Sequence, residues 1–89
     1  MEISNLKINP DIIETELDGE ICFYDPSNYK YLNLNSSASI IWPLFKNGYN
    51  KNKIISKITS VFLVTPKECE ADLRFFFKEA INYGLLYES

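Results

Sequence analysis

The chain has 89 residues, 46% of them hydrophobic and 15% aromatic, and a formal net charge of −3. This length gives a single domain over residues 1–89, and such a domain buries only about 60–65% of its unfolded surface, which leaves little room for a deep enclosed active site. The negative balance argues against a nucleic-acid partner, because cationic neutralisation of phosphates supplies most of that affinity.

The opening Met1-Glu2-Ile3-Ser4 lacks a basic-then-apolar signal pattern. No apolar run reaches the roughly 20 residues of a membrane span, so no membrane partner and a cytoplasmic location are expected. Residues 1–11, with Ile3, Leu6 and Ile8, read as a possible arm whose position the sequence leaves open.

Ile12–Leu17 and Glu20–Asp25 read as two strands joined by Asp18-Gly19, a dipeptide suited to the positive φ angles of a type I′ hairpin turn. In the second strand Ile21, Phe23 and Asp25 alternate with Cys22 and Tyr24. Asp25-Pro26-Ser27-Asn28 is a turn, and a third strand follows over Tyr29–Leu34. Leu32 and Leu34 point one way there, and Tyr29, Tyr31 and Asn33 the other.

The pattern then becomes helical. Asn35-Ser36-Ser37 offers capping side chains for a helix over Ala38–Phe45, with Ala38, Ile41, Trp42 and Phe45 on one face and Asn47-Gly48 as the stop. Pro43 conflicts with this run, since a proline inside a helix costs about 3 kcal/mol; a kink or an early end is expected. Asn50 caps a second helix with a buried stripe of Ile54, Ile55, Ile58 and Phe62. Thr65-Pro66-Lys67-Glu68 combines an N-cap, proline at the first position and a capping-box glutamate, and Gly84 supplies the stop of a third helix. Cys69, Leu73, Phe76, Phe77 and Ala80 recur at helical spacing and face the core. Three strands followed by three helices give an α+β, winged helix-turn-helix-like fold with a three-stranded antiparallel sheet.

The two cysteines, Cys22 and Cys69, are far apart and there is no histidine, so neither a disulfide framework nor a metal site is indicated, and both are placed in the core. No cofactor is expected. Charge is uneven: residues 1–25 hold seven acids against Lys7 alone, whereas Lys46, Lys51, Lys53 and Lys57 cluster mid-chain. The lysines are either a solvated face or a docking surface for an acidic partner.

The stretch Leu34-Asn35-Ser36-Ser37-Ala38-Ser39-Ile40-Ile41-Trp42 resembles the start of the first helix in PqqD-like proteins, the recognition domains of ribosomal-peptide modification pathways. Gly48, the apolar Ile55 and Ile58, Asp72-Leu73 and Gly84-Leu85-Leu86 follow in matching order, so the likeness covers roughly residues 12–87. Pro43 and the asparagine-rich connection 47–53 depart from the pattern. The resemblance implies a non-catalytic element that binds the leader region of a precursor peptide as a strand added to the third strand, at Tyr29, Lys30, Tyr31, Leu32 and Asn33. Peptide side chains would settle beside the last helix, against Asp72, Phe75, Phe76, Glu79 and Tyr83. The implied partners are the precursor peptide and a modifying enzyme, such as a leader peptidase, a cyclase or a radical SAM enzyme. Lasso-peptide biosynthesis is favoured, with a PqqD-type chaperone in quinone cofactor synthesis as the alternative.

The residues themselves permit this mechanism. Strand addition needs an open sheet edge, and Tyr29–Asn33 lacks proline, glycine and, apart from Lys30, the charges that blunt an edge. Such an edge either binds a peptide, is covered by a terminal segment, or pairs weakly with its own copy, so monomer and weak homodimer both stand. Phe75 falls nearly opposite the core face of its helix and is either a partner contact or packed by the N-terminal tail. Asp72 either orients the peptide or is a solvated acid; Glu79 and Tyr83 stand likewise.

Two rival classes are weaker. General acid–base and nucleophilic chemistry have no histidine to draw on, so an enzyme is not expected. A winged-helix DNA-binding regulator should read DNA with a basic helix, but the last helix carries Glu68, Glu70, Asp72 and Glu79 against Lys67, Arg74 and Lys78.

Overall fold

The structure, a computed structural model, describes residues 2–89. In chain order its elements are a 3-10 turn (Ile3–Asn5), β1 (Leu6–Ile8), β2 (Ile13–Leu17), β3 (Glu20–Asp25), β4 (Lys30–Asn33), α1 (Ser36–Lys46), α2 (Lys51–Val61), α3 (Pro66–Tyr83) and β5 (Leu86–Glu88). The α+β reading of a three-stranded antiparallel sheet and three helices holds, with strand order β2-β3-β4.

Local chemistry sets the sheet. Asp18 and Gly19 have φ of 55° and 82°, the left-handed pair a type I′ turn demands, and β2 pairs with β3 from Ile13↔Tyr24 to Leu17↔Glu20. At the next turn the Asp25 carboxylate accepts from the Ser27 backbone N–H at 3.0 Å and from the Asn28 side-chain amide at 2.8 Å. These bonds hold a turn in which Tyr29 has a φ of 56°, unusual for a side chain of that size.

The residues read as an arm are built into the fold. Residue 1 lies outside the described residues; Ile3 and Leu6 are buried, and β1 pairs antiparallel with β5 in a separate two-stranded ribbon. The Asn9 backbone N–H donates to the Leu85 carbonyl at 2.8 Å, and its side-chain amide donates to the Gly84 carbonyl at 3.0 Å. The two ends of the chain thus brace each other beside α3.

Helix caps follow the sequence. Asn35, Asn50 and Thr65 each accept a backbone N–H three residues on, the capping box of Thr65 and Glu68 is complete, and Gly84 closes α3 at φ 101°. Pro43 does not end α1 early. It removes one donor, but its own carbonyl still accepts from Asn47 N–H at 3.1 Å, and the Trp42 and Phe45 rings that flank it in sequence stack on each other at 5.9 Å. The expected stripe of α2 is shorter than read: Ile54 and Ile58 are buried and Ile55 half-buried, whereas Phe62 is 44% exposed. Phe62 is the C-cap, with extended φ and ψ of −114° and 151°, so the helical period no longer governs its direction.

Trp42 is the hub of the core. Its ring meets Phe23 edge-on at 5.1 Å, stacks on Phe45 at 5.9 Å and meets Phe76 at 6.2 Å, joining β3, α1 and α3. Its indole N–H donates to Glu14 on β2 at 3.0 Å. Cys69 is buried as expected. Cys22 is only half-buried, because the strand's alternation turns it to the sheet face away from the helices.

The lysine cluster is largely engaged within the molecule. Lys46 pairs with Glu14 at 2.9 Å, Lys51 with Glu70 at 3.1 Å, and Lys53 sits over the Tyr49 ring at 4.5 Å from its centre. That arrangement supports the solvated-face reading over an open cationic patch.

Candidate functional site

The site starts at β4, which pairs with β3 on one side and, among the described residues, has no neighbouring strand on the other. The Leu34 N–H donates to the Ile21 carbonyl at 3.0 Å, so that pair is hydrogen-bonded. By the alternation of an antiparallel ladder, Phe23–Leu32 and Asp25–Lys30 are bonded pairs too, and Cys22–Asn33 and Tyr24–Tyr31 are not. The backbone N–H and C=O of Tyr31 and Asn33 therefore point away from β3, into the open edge. Among the described residues no terminal strand pairs with this edge; β1 and β5 pair with each other instead.

Beside this edge runs an open groove. One wall is Leu32, Asn33 and Leu34 with Asn35, Ser37 and Ala38 at the start of α1; the other is Asp72, Phe75, Phe76 and Glu79 on α3. The spacing of three, four and seven residues places those α3 side chains on one helix face. Phe76 is buried and forms part of the base, whereas Phe75 is 58% exposed. Among the described residues neither Asp72 nor Glu79 is ion-paired, so the groove presents two free carboxylates beside apolar surface.

One turn beyond Glu79, Tyr83 crosses to the sheet, and its hydroxyl donates to the Lys30 carbonyl at 2.7 Å. Burial pushes the phenol above its ordinary range, and the Asp25 carboxylate adds to the shift. Asp25 itself is held below the usual carboxylate value, chiefly by the Asn28 amide. The start of the edge strand is thus pinned from α3 and from its own turn.

Of the residues singled out in the sequence, the structure brings Leu32, Asn33, Asp72, Phe75, Phe76 and Glu79 together around the groove. Lys30 and Tyr83 meet at its end. Tyr29 and Tyr31 have side chains outside it: Tyr29 is 81% exposed in the turn, and the Tyr31 ring lies on the opposite sheet face against Tyr24 at 4.6 Å. Among the described residues the N-terminal segment does not line the groove at Phe75, and its strand β1 pairs with β5. Sequence reasoning missed Leu34, Asn35, Ser37 and Ala38 as lining residues. The signal was present in the alternation of Leu32 with Leu34 and in the Asn35 cap, which turns the chain directly from the edge strand into α1.

Residues 20–86 match the profile of the family described as coenzyme PQQ synthesis protein D, PqqD. The chain belongs to the PqqD family. A solved structure similar to this PqqD-family chain is that of TbiB1 in complex with the TbiA(beta) leader peptide; the TM-score is 0.80 and the identity 27%, over 93% of this chain and 99% of that one. Lasso peptide synthetase B1 complexed with the leader peptide shares the fold, with a TM-score of 0.85 at 19% identity over 93% of this chain and 98% of that one. No curated protein matches the chain by sequence.

Proposed function

We propose that this PqqD-family chain binds the leader region of a ribosomally synthesised precursor peptide and presents it to a separate modifying enzyme in lasso-peptide biosynthesis. The observation that carries the reading is the open β4 edge lying along the groove of Leu32, Phe75, Phe76, Asp72 and Glu79, in a chain similar to one solved with a leader peptide.

The chemistry of binding follows from the geometry. An extended peptide beside β4 exchanges backbone hydrogen bonds with Tyr31 and Asn33, which supplies affinity independent of sequence. Its alternate side chains enter the groove, where an apolar group covers Phe75 and Leu32, and a basic group placed beside it meets Asp72 and Glu79. Tyr83 fixes the strand end, so little ordering of the protein accompanies binding. The chain's part is recognition without catalysis, and a ribosomal precursor places the event in the cytoplasm.

Calorimetric titration with the leader peptides encoded beside the gene tests this. Saturable binding is expected, weakened about tenfold or more by Phe75→Glu, a substitution at an exposed side chain. Absence of binding to the folded wild type would overturn the proposal. The family description favours a second reading, a peptide chaperone of quinone cofactor synthesis. Preference for the precursor peptide of that cofactor over lasso leaders, in the same titration, would select it.

A further inference from the structure

The geometry points to the outer face of the three-stranded sheet, on the side away from the helices, as the docking surface for the enzyme that acts on the bound peptide. The polarity of β2 is inverted for a sheet packed on one side. Glu14 and Glu16 stand opposite Phe23 and Ile21 on the helix-covered face, while Ile13, Thr15 and Leu17 stand opposite Tyr24, Cys22 and Glu20 on the open one. One-sided antiparallel sheets ordinarily turn their apolar set inward and their polar set to water. Here Ile13 is 52% exposed, Leu17 73% and Tyr31 69%. Leu17 and Tyr31, with Thr15, Cys22 and Asn33, line a shallow depression, and Ile13 pairs with Tyr24, whose ring lies against Tyr31. A contiguous apolar face on a small domain marks an interaction site.

Charge selects the occupant. Asp18 and Glu20 border this face at the hairpin end, and residues 11–25 contain no lysine or arginine. A second copy seated face to face would oppose two acidic rims, whereas a partner with an apolar centre and a basic rim complements the face. The face is also continuous with the β4 edge. Side chains of an added peptide strand alternate, and those in register with Tyr31 and Asn33 emerge on this same outer surface. A protein docked here touches the sheet and the peptide together, which fits an enzyme that must find the peptide loaded. The identity of the partner rests on the peptide-binding reading; the existence of the face does not.

The test uses the full chain loaded with leader peptide and, as probes, the purified peptide-modifying enzymes encoded beside the gene, measured by biolayer interferometry. Leu17→Lys and Ile13→Lys change exposed side chains and add the charge that a basic rim rejects. Each is expected to weaken enzyme binding about tenfold or more while leader-peptide affinity stays within about twofold. Added salt is expected to weaken the wild-type complex. Unchanged enzyme binding by both variants, or no enzyme bound by the loaded wild type, would overturn the docking face while leaving peptide binding intact. A wild-type dimer in sedimentation that Leu17→Lys dissolves would overturn the assigned occupant in favour of a second copy. A chain that binds no leader removes the named partner together with the peptide reading.

Discussion

The hydroxyl of Tyr83, the last residue of α3, donates to the carbonyl of Lys30, the first residue of β4, at 2.7 Å and across 53 positions of sequence. This bond sets the distance between the edge strand and the helix that walls the groove. Tyr83→Phe keeps the ring and removes the bond. It is expected to cost about 0.5–1.5 kcal/mol in urea denaturation, toward the lower end because the contact is partly open to water. Amide exchange in β4 should quicken in the same variant.

Trp42 is buried, with its indole N–H aimed at Glu14. Glu14→Ala leaves that donor without its partner, and a loss of about 1–3 kcal/mol is expected, with a shift in tryptophan emission as the readout. Lys46→Ala removes only the half-exposed ion pair on the same carboxylate and should cost no more than about 1 kcal/mol.

Asp25 links folding to pH. Its carboxyl lies below the ordinary value of 3.8 because the Asn28 amide and the Ser27 and Asn28 backbone favour the charged form. A group whose folded pKa is lowered contributes stability that is complete above its unfolded pKa and lost as pH falls through the folded one. Wild-type stability should therefore drop as pH falls below about 4, and Asp25→Asn should flatten that part of the profile, as read from urea midpoints across pH.

The cysteines should differ in reactivity. Burial, with the Asp72 carboxylate adding, pushes the Cys69 thiol up, whereas Cys22 is half-exposed. A thiol reagent is expected to label Cys22 in the native protein and Cys69 only once denaturant opens the core. Equal labelling rates would contradict the packing of α3.

Much of this was legible in local chemistry. Asp18-Gly19, Asn35, Asn50, Thr65 with Glu68, and Gly84 each dictate a turn or cap through their own backbone and side-chain requirements, and each sits where those requirements place it. The ribbon of β1 and β5 was not legible. Three-residue strands are too short to show alternation, and their pairing joins Leu6 to Glu88, a contact no local pattern encodes. Pro43 misled because its cost is local, while the packing of Trp42 and Phe45 that sustains the last turn is tertiary. At the site, the α3 face followed from helical spacing. The contribution of Leu34, Asn35, Ser37 and Ala38 depended on how closely α1 follows the edge strand, which only the folded geometry fixes.

The most direct measurement compares leader-peptide binding by wild type, Tyr31→Pro and Leu32→Pro in calorimetric titration, with circular dichroism as the check on folding. Tyr31 directs its N–H to the open edge, so proline there removes a donor to the peptide and leaves the β3–β4 ladder whole; at Leu32 it removes a ladder bond instead. Strand addition predicts a folded Tyr31→Pro chain that no longer binds and a Leu32→Pro chain with a damaged sheet. A folded Tyr31→Pro chain that binds the leader as tightly as wild type would contradict recognition at the β4 edge.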